Sequence, residues 1–293
     1  MKQYKTIKSI CISIILISLI IIIFCAIILF ANQNKNTLQS DTINIKNTKP
    51  ITIIPVVENN FNENNEEVVI EEKSEIIEEK ITKNKYRIVI DACAQNEEIL
   101  GGEAMGPNSD ILVQKCEKQY IGLSTGLEES KLNLNVAKML KNKLIDSGYE
   151  VIMTRETNNV SLSNMERAAI ADEADADLYI RIKTNFSLNP LDKGIVIYCP
   201  SSENIWTKNI YEKSRKVSEE IVKEIGSCTG DIIVGVKDFD QSAAMNWSII
   251  PTTTINIGYL SNPETEMLLN TQEYQEEIAN GIYLGIEKYF EEY

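Results

Sequence analysis

From residue 86 onward, short runs of β-branched and apolar residues alternate with stretches in which apolar residues recur every three to four positions. Alternating strand and helix periods specify a sheet covered by helices, because each element must bury its apolar face against the other. YRIVI at 86–90 predicts a buried strand ending at Asp91. Leu132, Val136, Leu140 and Leu144 fall four apart, with Glu128 and Glu129 in the first turn and Gly148 past the end, which predicts a helix over 128–147. A strand is expected over 149–154, and Ser163 with Glu166 reads as a capping box for a helix to about residue 172. Further strands are expected at 178–182, 195–198, 232–236 and 252–257. A helix over 206–225 closed by Gly226, a helix start at Asn262 and Pro263, and a last helix over 272–289 complete the pattern. The order predicts an α/β domain with a mixed, largely parallel sheet flanked by helices. Residues 91–127 are polar and longer than an ordinary connection, which predicts an irregular loop, functional or mobile.

The region before this domain reads differently. Residues 10–31 are almost wholly apolar, long enough to span a hydrocarbon layer of about 30 Å as a helix. Lys2, Lys5 and Lys8 precede the run and no charge follows until Lys35, so residues 1–9 are expected in the cytoplasm and the rest outside. The run is too long for a cleaved signal peptide, no small-residue cleavage site follows it, and bulky Phe24 before Cys25 argues against lipid attachment. A single-pass signal anchor is therefore expected. Residues 32–84 are rich in Asn, Lys and Glu, and their glutamates between Glu58 and Glu79 face only Lys73 and Lys80, as in an acidic disordered linker. The globular part is then 85–293. A net charge of −14 over 293 residues, with no cluster of Lys and Arg, argues against a nucleic-acid partner. Cys93, Cys116, Cys199 and Cys228 are widely spaced with no C-x-x-C pair, and read as free thiols.

Five blocks of this domain, in order, resemble the amidase 3 family of zinc-dependent N-acetylmuramoyl-L-alanine amidases of bacterial cell walls. They are IVIDACAQ at 88–95, GLEESKLNLNVAKML at 126–140, YEVIMTRETNNVSLSNMERAAIAD at 149–172, LYIRIKTNFS at 178–187 and TTTINIGYLSNPETE at 252–266. The resemblance implies a single amidase-like domain with zinc held by a His after the first strand, a Glu at a helix start and a His on a central strand, and a second Glu as general base. The chain contains no histidine. The positions that match the two His ligands hold Ala94 and Lys183, the Glu ligand is kept as Glu129, and the base position holds Asn256. One carboxylate is not a zinc site, and an amide cannot take a proton from water near neutral pH. The expectation is therefore an inactive relative, without zinc or another cofactor, that binds peptidoglycan or a cell-wall protein. Lys183 is expected to stand in for the metal by hydrogen-bonding Glu129. The rival readings are an active amidase using other groups, with Cys93 as the one candidate nucleophile, and a structural or scaffolding protein of the envelope.

Overall fold

The computed structural model describes residues 86–292. The expected span at 10–31 and linker at 32–84 lie outside the described residues. Among the described residues no helix is long and apolar enough to cross a membrane.

The strands β1 (Arg87–Ala92), β4 (Glu150–Met153), β5 (Leu178–Asn185), β6 (Ile195–Cys199), β7 (Ile233–Asp238) and β8 (Thr252–Tyr259) form one sheet in the order β4-β1-β5-β8-β6-β7. All neighbours pair in parallel except β6 with β8. Side chains alternate across a strand, and β1 shows the result. Ile88 and Ile90 join a large core cluster on one face, while Val89 joins a smaller one on the other. The large cluster is completed by α1 (Glu129–Asp146), α3 (Tyr211–Thr229) and α6 (Gln272–Glu291), and the small one by α2 (Asn164–Glu173). The short helices α4 (Ala243–Asn246) and α5 (Pro263–Leu269) precede and follow β8.

Local signals explain most element ends. Ser163 Oγ accepts from Glu166 N while Glu166 reaches back to Ser163 N, so the capping box at α2 forms as expected. Asn262 Oδ1 accepts from Thr265 N, which starts α5 behind Pro263. Helix α3 differs from expectation: it begins after a 3-10 turn at Lys208–Ile210 and runs through Gly226 to Thr229. Gly230 takes φ 63, the left-handed conformation that closes a helix, whereas Gly226 packs inside against Ile233.

The stretch expected as an irregular loop contains an antiparallel hairpin, β2 (Ile99–Ala104) with β3 (Leu112–Cys116). It is tied down along its length. Trp247 Nε1 donates to Ala104 O at 2.8 Å, Asn246 Nδ2 to Met105 O at 3.1 Å and Trp206 Nε1 to Pro107 O at 2.9 Å. The buried Glu103 carboxylate accepts from the free N–H groups of Asn164 and Met165 at the start of α2.

Candidate functional site

The carboxyl ends of β1, β5 and β8 lie side by side, and the start of α1 meets them there. Cys93 N donates to Ile182 O at 2.9 Å, carrying the end of β1 along β5. Ala94 follows at φ 61, a left-handed conformation that costs an L-residue roughly 1–2 kcal/mol. Glu129, the first residue of α1, is buried, and its carboxylate accepts from Tyr120 N at 3.0 Å and Thr184 N at 3.3 Å. Lys183 and Asn256 are register partners in the parallel β5–β8 pair. Their side chains therefore leave the sheet on one face from backbones about 4.8 Å apart. The structure brings Ala94, Glu129, Lys183 and Asn256 together around one cavity of about 320 Å³.

One expectation is corrected. Lys183 does not hydrogen-bond Glu129: its Nζ takes Glu117 as ion-pair partner, at 3.9 Å. The hairpin explains the change, because the chain leaving β3 carries Glu117 into the cavity wall, while backbone N–H groups already satisfy Glu129. Glu129 still acts on Lys183 through space. Burial disfavours the ammonium, but its surroundings, the Glu129 carboxylate foremost, outweigh it and raise Lys183 above the ordinary lysine value.

Beneath the cavity lies a charge cluster that sequence reading did not pick out. Asp91, at zero exposure, accepts from Arg167 Nη1 at 2.6 Å, Arg181 Nε at 3.1 Å and Thr154 Oγ1 at 2.7 Å. Burial alone would raise its pKa, yet Arg167, Arg181 and Thr154 hold it well below the usual carboxylate range. Arg155, also buried, donates to the carbonyls of Ala92 and Ser130 at 2.7 Å each, fixing the turn after β1 to the start of α1. The signal was present as Asp91 at the end of a buried strand with Arg155, Arg167 and Arg181 in the following blocks.

Cys93 borders this cluster and donates from Sγ to Asp91 Oδ2 at 3.3 Å. Burial pushes its thiol up to about 12, so it stays protonated at neutral pH and offers no thiolate nucleophile. Cys116 and Cys199 are likewise free and buried, and Cys228 is free and partly exposed.

Zinc requires donors with free lone pairs arranged around one point. Ala94 has none and Lys183 presents an ammonium, which leaves Glu129 as a single carboxylate at these positions. Among the described residues no three His, Cys, Asp or Glu side chains converge as metal ligands would. The residues present do not fit a zinc ion.

The family profile of N-acetylmuramoyl-L-alanine amidases of the amidase 3 type matches residues 108–288. The germination-specific N-acetylmuramoyl-L-alanine amidase of Bacillus subtilis is 29% identical over 179 residues, covering 57% of this chain and 72% of that protein. The amidase Ami1 from Mycobacterium smegmatis superposes with a TM-score of 0.65 at 16% identity, over 71% of this chain and 98% of its own. The CwlD amidase from Clostridioides difficile, solved in complex with the GerS lipoprotein, superposes with a TM-score of 0.55 at 23% identity, over 72% of this chain and 100% of its own. At those identities the superpositions establish a common fold. With the profile match spanning more than half of its length, this chain belongs to the amidase 3 family of N-acetylmuramoyl-L-alanine amidases.

Proposed function

We propose that the chain is a catalytically inactive member of this family, anchored through residues 10–31 with its globular domain outside the cytoplasmic membrane, and that it binds peptidoglycan in the inherited cavity. One observation carries the reading. The four positions that the resemblance assigns to ligands and base converge on one cavity, and there they hold Ala94, Glu129, Lys183 and Asn256. Such a set can contact a ligand but lacks the means to activate water as the family does, since Asn256 accepts no proton near neutral pH and Ala94 and Lys183 hold no metal.

The 293-residue chain, purified in detergent and mixed with isolated cell-wall sacculi, tests this. The expected result is saturable cosedimentation with no amide-cleaved product, with or without added zinc. Turnover above a protein-free control would overturn the inactivity. Failure to cosediment would overturn the wall-binding role and leave a protein partner or a scaffolding role in its place.

A further inference from the structure

We propose that the loop between β5 and β6, residues 186–194, docks into the outer leaflet of the membrane that anchors the chain. The inference rests on the anchoring part of the reading above and adds a second, apolar contact with the same bilayer. Leu188 is fully exposed and Leu191 is 80% exposed, one on each side of Asn189 and Pro190. Hydrogen bonds fix the turn that carries them. Ser187 N donates to Ser261 Oγ at 2.9 Å, Asn189 N to Ser187 Oγ at 3.1 Å, Leu191 N to Asn189 Oδ1 at 3.2 Å and Asp192 N to Asn189 O at 3.1 Å. Pro190 has no N–H, and its carbonyl accepts from Asn262 Nδ2 at 2.8 Å. The polar side chains close on one another too: Asp192 accepts from Ser187 Oγ at 2.6 Å and from Asn189 Nδ2 at 2.7 Å.

A turn that meets most of its polar needs from within can leave water at little cost, which is the condition for entering a bilayer. In water, by contrast, the two bare leucines contribute no burial to the fold. Asn262 caps α5, whose buried Glu266 accepts from Ser124 N at 2.7 Å and Thr125 N at 2.6 Å, so the loop, α5 and residues 121–127 are tied into one surface. Leu123 and Met267, both exposed, stand on those neighbours and widen the apolar area. Leucine is under-represented among the residues that anchor protein contacts, but it suits the boundary between headgroups and acyl chains. Charge agrees with an apolar contact. Lys193 is paired with Glu264 at 3.1 Å, and a chain of net charge −14 gains nothing from anionic headgroups.

The full chain carrying Leu188→Trp, reconstituted into phosphatidylcholine vesicles, tests the contact through the emission that the added indole contributes beyond Trp206 and Trp247. Lipids brominated on their acyl chains are expected to quench that added emission by about twofold or more, at low and high salt alike. Leu191→Asn in the same chain should relieve most of the quenching. Added emission that ignores brominated lipid and is quenched by aqueous iodide would overturn the proposal and leave the leucines to a protein partner. Quenching that needs anionic lipid and disappears at high salt would overturn it as well. If Leu188→Trp fails to fold, Leu191→Trp carries the same readout. Flotation separates this inference from the reading beneath it. A chain that floats with the vesicles while its added emission stays in water keeps the anchor and loses the loop contact. A chain that does not float loses both.

Discussion

Asp91 concentrates more electrostatic consequence than any other residue near the cavity, because two guanidinium groups share its one buried carboxylate. Asp91→Asn leaves both cations short of their partner, and breaking a buried pair in this way costs about 3–5 kcal/mol, to be read as a lower urea midpoint. The same carboxylate sets a pH response. Its folded pKa is depressed below the unfolded value of about 3.9, so its stabilisation is fully present above that value and is lost as pH falls toward the folded one. The urea midpoint should therefore drop below about pH 4, and less steeply in Asp91→Asn than in the parent chain. Lys183 sits at the other extreme. Its ion-pair partner Glu117 is largely exposed and 3.9 Å away, and Glu129 is satisfied by backbone, so Lys183→Met should shift stability by less than about 1 kcal/mol in the same assay.

Among elements, the tightest packing is between α3 and α6. A Cβ built on Gly281 would lie 2.5 Å from Ile225 Cα, and one on Gly285 would lie 2.4 Å from Ile221 Cα, so the two backbones touch where these glycines face them. Gly285→Ala must push the helices apart, and thermal unfolding should show a loss of about 1–3 kcal/mol, typical of overpacking. Helices of this kind were legible in the sequence because their apolar spacing and caps are local. The α2 box of Ser163 and Glu166 and the α5 start at Asn262 stand as written there. The hairpin was not legible, because its apolar residues run against the usual pattern: Leu100, Ile111 and Leu112 are exposed. Its order comes from contacts with Trp206, Asn246 and Trp247, more than ninety residues away in the chain. The site divides in the same way. Ala94, Glu129, Lys183 and Asn256 could be located by resemblance, but the partners of Glu129 and Lys183 depend on Tyr120, Thr184 and Glu117, whose positions only the folded chain determines.

Across the molecule, no fitting ligand set is found among the described residues, so stability is expected to be independent of metal. Chelators should leave the melting temperature unchanged, and elemental analysis of the purified chain should find far less than one zinc per molecule. Ala94→His with Lys183→His should recover metal by the same analysis, and muropeptide release should require Asn256→Glu in addition, because ligands and base act as a unit. Hydrolysis from Asn256→Glu alone would contradict the inactive reading. The strand order has a further effect, on how the chain comes into being. Strand β8 lies between β5 and β6, so it alone joins β4-β1-β5 to β6-β7. Until residues 252–259 leave the ribosome, the main sheet exists at most as two separate pieces, each with an unpaired edge where β8 will dock. A chain terminated at residue 251 should therefore aggregate rather than refold. Synthesis of one late strand closes the sheet and delivers Asn256, so the cavity and the complete sheet arrive in the same moment, ahead of the helix that seals the core.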